Sequence, residues 1–251
     1  MEKIIKNSFT RFIYRNIRSG VNYFKYLSDK KKFIASGNTT TKRFDIKDEI
    51  KCLDDSTAST PYDRHYTYHT AWAARVVKEI DPKEHYDISS LLYFSTLLSA
   101  FIPVKFYDYR PAKVELSNLT SNQGDLNALP FESNSIQSLS CMHTVEHIGL
   151  GRYGDKIDYD GDLKAINELK RVVSVGGNLL FVTPIGKPKV QYNAHRVYSY
   201  NQIVSYFSEF TLREFSLIPD TEEQGGLIKN AKPEMADTQN YACGCFWFVK
   251  K

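Results

Sequence analysis

Apolar positions recur along this chain with a helical period first and then with alternating helical and strand periods. Near the N-terminus Ile4, Ile5, Phe9, Phe12, Ile13, Ile17, Val21, Phe24 and Leu27 fall three and four apart with Lys and Arg between them, which predicts amphipathic helix to about residue 35. Residues 36–60 are polar and rich in Ser and Thr, and read as a linker or irregular cover with a short strand or turn near Phe44. A second helix becomes regular near Tyr66, turns Trp72, Val76, Val77 and Ile80 to one side and stops at Asp81-Pro82. Strands over 85–88, 104–107, near Leu119 and over 136–142 then alternate with a helix over 91–101. A helix over 163–173 follows, with Asp162 as its expected N-cap and Gly176-Gly177 as its exit. A strand over 178–183 stopped by Pro184, a helix over 201–207, and strands over 210–218 and 242–249 complete the series.

Strands alternating with helices predict an α/β fold, a mostly parallel sheet covered on both faces. The last two strands lack a helix between them and are expected to pair antiparallel.

Composition changes this picture little. The 251 residues, 42% hydrophobic and 25% charged, suit one larger domain with an appendage. The net charge of +4 is concentrated at the N-terminus, where Lys3, Lys6, Arg11, Arg15, Arg18, Lys25, Lys30, Lys31 and Lys32 face Glu2 and Asp29. The remainder is close to neutral, which argues against a nucleic-acid surface. A basic amphipathic helix suits an anionic membrane surface, the protein's own core or a second subunit, so peripheral membrane contact and a homodimer both stand as expectations. No apolar run approaches the roughly 18 residues of a membrane span, and no signal peptide is visible, so a cytoplasmic protein, or one at the inner face of the membrane, is expected. Cys52, Cys141, Cys243 and Cys245 do not form a zinc pattern, and reduced thiols are the simplest reading.

The densest chemistry lies in Ser138 to Asp162. An apolar run ends at His143, and Glu146, His147, Gly149, Gly151, Gly154, Asp155, Asp158, Asp160 and Asp162 follow. Ligands of open α/β sheets sit beyond the carboxyl ends of the strands, so this segment is expected at the working edge. His143, Glu146 and His147 spell the inverted zinc-protease pattern H-x-x-E-H, but that pattern needs a helix, and a zinc hydrolase is the lesser reading. His65 and His69 stand four apart, as helical metal ligands can, and the Asp cluster lacks the distal Glu of a calcium loop. A divalent metal is not favoured; a turn-rich loop capping the next helix is.

The strings YDISSLLYF, FYDYRP, GDLNALPF, MHTVEHIG and LKAINELKRVVSVGGNLLFVTPIG, in this order, resemble a class I S-adenosylmethionine-dependent methyltransferase. HTVEHIGLGRYGD, DYDGDLKA, NAHRVYS, DRHYTYHTAWAAR and YACGCF resemble, more narrowly, the methyltransferase-like family called domain of unknown function two-six-eight, often encoded among surface-polysaccharide genes. The resemblance runs from about residue 61 to the end and implies a Rossmann-like domain over 61–251, with residues 1–60 as an added helix and linker. It implies S-adenosylmethionine as cofactor and S-adenosylhomocysteine as product, with Asp108 on the ribose, Asp125 and Leu126 at the adenine, and Asp87, Ser89 and the backbone of His143 at the methionine end. The first turn reads Asp87-Ile88-Ser89-Ser90 where such proteins usually carry Gly.

Methyl transfer to a hydroxyl needs close alignment and a base. His147 is the expected base, with Glu146 orienting it or gripping the acceptor, and His195 is the second candidate. Arg152, Tyr153, Asp155, His195 and Arg196 are the expected acceptor contacts. The leading expectation is O-methyl transfer to a sugar hydroxyl of a surface glycan or its nucleotide-linked precursor. A non-catalytic module that holds a glycan-assembly partner or a membrane is the alternative.

Overall fold

A computed structural model describes residues 8–37 and 48–251, with side chains from residue 16 onward. The chain divides into one unit ending at Pro61 and another running from Tyr62 to Lys251. In the first, α1 (Ser8–Ser36) is the expected helix. Ile17, Val21 and Phe24 lie exposed on it, and Tyr26 donates to Glu49 at 2.8 Å while Lys30 pairs with the same carboxylate. Ile4, Ile5 and the expected turn near Phe44 lie outside the described residues. No described helix is long and apolar enough to cross a membrane.

In the second unit α2 (Arg64–Ile80) is followed by β1 (His85–Ile88), α3 (Leu92–Leu98), β2 (Val104–Asp108), β3 (Leu119–Gln123) and β4 (Ile136–Met142). Next come α4 (Gly161–Val172), β5 (Val173–Ile185), a hairpin of β6 (Lys189–Gln191) and β7 (His195–Val197), and α5 (Tyr200–Tyr206). The chain ends with β8 (Phe210–Ile218), α6 (Pro233–Asp237) and β9 (Ala242–Lys250). Seven strands form one sheet in the order β3-β2-β1-β4-β5-β9-β8. The first five are parallel, and β9 is antiparallel to both β5 and β8, which makes this the Rossmann-like arrangement expected.

Two-residue alternation builds a core on each face. Along β5, Leu179 and Phe181 join the apolar cluster that includes Ile166 and Leu169 of α4 and Ile203 of α5, while Leu180 and Val182 face Trp72 and Val76 of α2 and Phe94 of α3. Along β9, Phe246 and Phe248 take the first side and Cys243, Cys245 and Trp247 the second. The N-terminal end of α2 starts at Asp63, whose carboxylate caps Tyr66 N–H at 3.0 Å.

Three local expectations need correction. Asp160 holds the N-cap position of α4; Asp162 sits inside the first turn, where it accepts a hydrogen bond from Tyr198 Oη at 2.9 Å. Gly176-Gly177 does not release α4 into a loop: Val173 already pairs with Ile136, and residues 174–177 bulge out before Asn178 meets Ser138. Pro184 does not stop β5, because it pairs opposite Cys243 in an antiparallel ladder and its carbonyl accepts Tyr198 N–H at 3.1 Å. The β6–β7 hairpin and α6 are too short for periodicity to reveal.

Candidate active site

Because β1, β2 and β4 are parallel, their carboxyl ends share one edge, and two clefts open there. The first, of about 410 Å³, is walled by Ser89, Asp108, Asp125, Leu126 and His143 among others. Asp108 ends β2; its Oδ1 accepts Arg110 N–H at 2.7 Å, and its other oxygen has no hydrogen bond among the described residues. Asp125 is likewise fixed through Oδ1, by Asn127 N–H at 2.9 Å, and Leu126 is buried beside it. Each carboxylate thus keeps one oxygen for an outside donor, as a nucleoside requires, and Gly124 N–H on Asp108 O at 3.0 Å holds the two segments together.

Ser89 lines the first cleft, whereas Asp87 departs from its expected place. Ser89 takes a left-handed φ of 53°, which glycine adopts without cost, and its N–H (2.8 Å) and hydroxyl (3.3 Å) both donate to Tyr107 O. Ser89 therefore lines the cleft with its own donors already spent. Asp87 does not line either cleft. Strand alternation points it inward with His85, where it accepts Ser140 Oγ at 2.6 Å and Ser95 Oγ, and burial raises its pKa to about 6. His85 extends this buried network to Ser138 and Ser140, and burial lowers its own pKa to about 3. Asp87 thus braces the turn from beneath.

The second cleft, of about 660 Å³, adjoins the first: Tyr66, His143, His147 and Tyr153 line both. Glu146, Arg152 and His195 stand in its wall. His143 closes β4 with a φ of 55°, and its N–H pairs with Val182 O at 2.8 Å, so its backbone donor is not free. Its Nδ1 lies 2.8 Å from Glu146 Oε1, and its Nε2 is buried without a partner. Burial lowers the His143 pKa to about 4 and raises that of Glu146 to about 7. His147 Nδ1 is 2.6 Å from Ala194 O, its Nε2 is 3.9 Å from Glu146 Oε1, and burial lowers its pKa as well. His195 packs on Tyr241 with ring centroids 4.7 Å apart, and burial likewise lowers its pKa.

Val145–His147 forms a single 3-10 turn, and Glu146 bonds one histidine ring while Ala194 O takes the other. The H-x-x-E-H zinc arrangement is therefore not built. The histidine pair on α2 is not built as a metal site either: His69 Nδ1 bonds His65 O at 2.6 Å, while the His65 ring turns toward His143, with centroids 5.4 Å apart. Burial holds the His65 pKa down at about 4.

Two expected acceptor contacts prove structural. Arg196 spends NH1 on Ile148 O (2.7 Å) and NH2 on Tyr159 O (3.0 Å), with Nε 3.5 Å from Asp162, and lines neither cleft. Asp155 lines the first cleft, but its carboxylate accepts the N–H groups of Gly149 (2.8 Å), Gly151 (3.3 Å) and Tyr153 (3.2 Å) and so shapes the loop. Gly149 is required there: at φ 82° a Cβ would stand 2.0 Å from Asp158 O. Arg152 donates to Ala194 O at 3.1 Å and lies over the Tyr153 ring at 5.1 Å.

Sequence reasoning missed Tyr66, Asp220 and Tyr241 in these walls, and the approach of Cys243 to His65 and His143. Tyr66 and Tyr241 belong to the strings DRHYTYHTAWAAR and YACGCF, so motif context marked their segments while periodicity gave no sign of them.

Residues 126–235 match the model of the family described as "Caenorhabditis protein of unknown function, DUF268". No curated protein matches the chain. Among solved structures, the chain resembles the MccD protein with a TM-score of 0.50 at 13% identity, over 72% of this chain and 96% of that one. It resembles a Bacillus halodurans C-125 protein, assigned provisionally as a methyltransferase, with a TM-score of 0.50 at 12% identity, over 71% of this chain and 97% of that one. At such identities the likeness is one of fold. The chain is thus similar to the DUF268 family over residues 126–235, and its sheet has the fold of these solved structures.

Proposed function

We propose that this protein is an S-adenosylmethionine-dependent methyltransferase acting on a hydroxyl group, with a sugar of a surface polysaccharide or its nucleotide-linked precursor as acceptor. The observation that carries the reading is the meeting of two clefts at His147, one walled by strand-end carboxylates and the other by histidines and aromatic rings. Asp108 would accept the ribose hydroxyls, and Asp125 with the Leu126 backbone would face the adenine. When bound, the cofactor supplies an electrophilic sulfonium methyl group.

The chain's residues then account for the rest. His147, neutral at pH 7, offers Nε2 to take the acceptor proton, because Nδ1 donates to Ala194 O. Arg152 stands 3.4 Å from that Nδ1 and disfavours the imidazolium. His195 and Tyr241, with ring planes tilted by 33°, give the second cleft an aromatic wall suited to the C–H face of a sugar ring. The sugar assignment rests on this wall and on the family resemblance.

Calorimetry with S-adenosylmethionine and S-adenosylhomocysteine tests the cofactor. Wild type should bind both, and Asp108→Ala should weaken binding roughly 10- to 100-fold, as expected for lost hydrogen bonds to a charged group. Absence of binding by the folded wild type would leave the non-catalytic reading standing. Mass spectrometry of nucleotide-sugar mixtures incubated with enzyme and cofactor should then show one species gaining a methyl group.

A further inference from the structure

At the floor of the second cleft three donors converge that no sequence pattern joins. One ring nitrogen each of His65 and His143, and Sγ of Cys243, lie within 4.8 Å of one another. They come from the first turn of α2, the turn after β4 and the start of β9, where the alternation of β9 turns Cys243 toward α2. We propose that His65, His143 and Cys243 form a binding site for a zinc-class divalent transition metal, with the fourth coordination position facing the second cleft.

Four observations support it. First, His143 Nε2 is buried and unpartnered, in a side chain only 4% exposed. A buried ring nitrogen normally finds a partner, and a metal would provide one. Second, the other nitrogen of the same ring is held by Glu146 at 2.8 Å. A carboxylate on the far side of a ligating histidine fixes the ring and its tautomer, as in carboxylate–histidine–zinc arrangements. Third, the His65 ring makes no hydrogen bond among the described residues, so nothing polar opposes its turning out of the stack on His143, with centroids 5.4 Å apart, to aim a nitrogen at the metal. Fourth, two imidazoles and one thiolate make a borderline-soft donor set, which selects zinc or cobalt over magnesium or calcium.

The fit requires a modest contraction and a rotation of the His65 ring. Zinc bonds of about 2.0–2.3 Å place tetrahedral donors roughly 3.3–3.6 Å apart, so these atoms would close by up to about 1.5 Å. Cys243 would lose its proton on binding, and Glu146 would offset the added charge. His65 and His143 line the second cleft while Cys243 lies buried beneath, so a water or acceptor hydroxyl entering from the cleft reaches the open position. Activation of an acceptor there rests on the methyltransferase reading; the metal site itself does not.

The test uses the full chain, stripped with a chelator and titrated with zinc and, separately, cobalt. Wild type should take up one equivalent and show a thiolate-to-cobalt charge-transfer band. Cys243→Ser should abolish that band, and His65→Gln, in a cleft-wall position, should weaken zinc binding at least tenfold while far-ultraviolet circular dichroism stays that of wild type. Folded wild type without stoichiometric uptake, or an undiminished band in Cys243→Ser, would overturn the proposal. Cofactor calorimetry on the same metal-free protein separates this failure from failure of the methyltransferase reading.

Discussion

Nδ1 of His147 lies 2.6 Å from the carbonyl oxygen of Ala194. A carbonyl only accepts, so the ring carries its proton on Nδ1 and presents an unprotonated Nε2. Burial, aided by Arg152, holds its pKa below the usual 6.5. The base form therefore persists as pH falls past that value, and kcat/KM should stay level through neutrality and decline only at more acidic pH. His147→Ala should keep cofactor affinity and lower turnover on the order of 10²–10⁴-fold. Retained turnover would move the base to His195.

Ser89 occupies the left-handed region at φ 53°, a conformation that costs a non-glycine residue about 1–2 kcal/mol. Ser89→Gly relieves this strain but adds unfolded-state entropy, so a net gain of about 0.5–1 kcal/mol is expected in urea unfolding. Ser89→Val should destabilise instead.

Asp87 carries a pKa raised by burial from 3.8 to about 6. A raised folded-state pKa means that protonation favours folding: the contribution is complete below about pH 4 and is lost as pH rises through about 6. Over that window wild type should lose on the order of 3 kcal/mol from this group, and Asp87→Asn should flatten the pH profile of unfolding there. An unchanged profile would count against the buried placement.

Arg196 ties the loop after β4 to the region before α4 through Ile148 O, Tyr159 O and Asp162. Arg196→Met strands a buried carboxylate and two carbonyls, and should cost about 3–5 kcal/mol in denaturant unfolding. If Arg196 contacted the acceptor instead, the variant would raise KM with stability unchanged.

The strand and helix order was legible because it depends on local periodicity. Strands at 136–142 and 210–218 appear with the bounds expected. Asp108 and Asp125 could be placed at the cleft because parallel strands send their carboxyl ends to one edge. Asp162 and Pro184 were misread as boundary residues: a cap or a strand end depends on neighbours, here Tyr198 and the β9 ladder, that are remote in sequence.

What the linear pattern settles is therefore the α/β class, the sheet's parallel body with its antiparallel β9, and the edge at which chemistry gathers. These follow from side-chain period and from the geometry of parallel strands. Packing alone settles the direction each polar side chain takes. Asp87 and Arg196 look like ligand contacts in the sequence, yet buried hydroxyls and backbone carbonyls claim them. His65, His143 and Cys243 carry no shared motif, and only the crossing of α2 over the ends of β4 and β9 brings their donor atoms together.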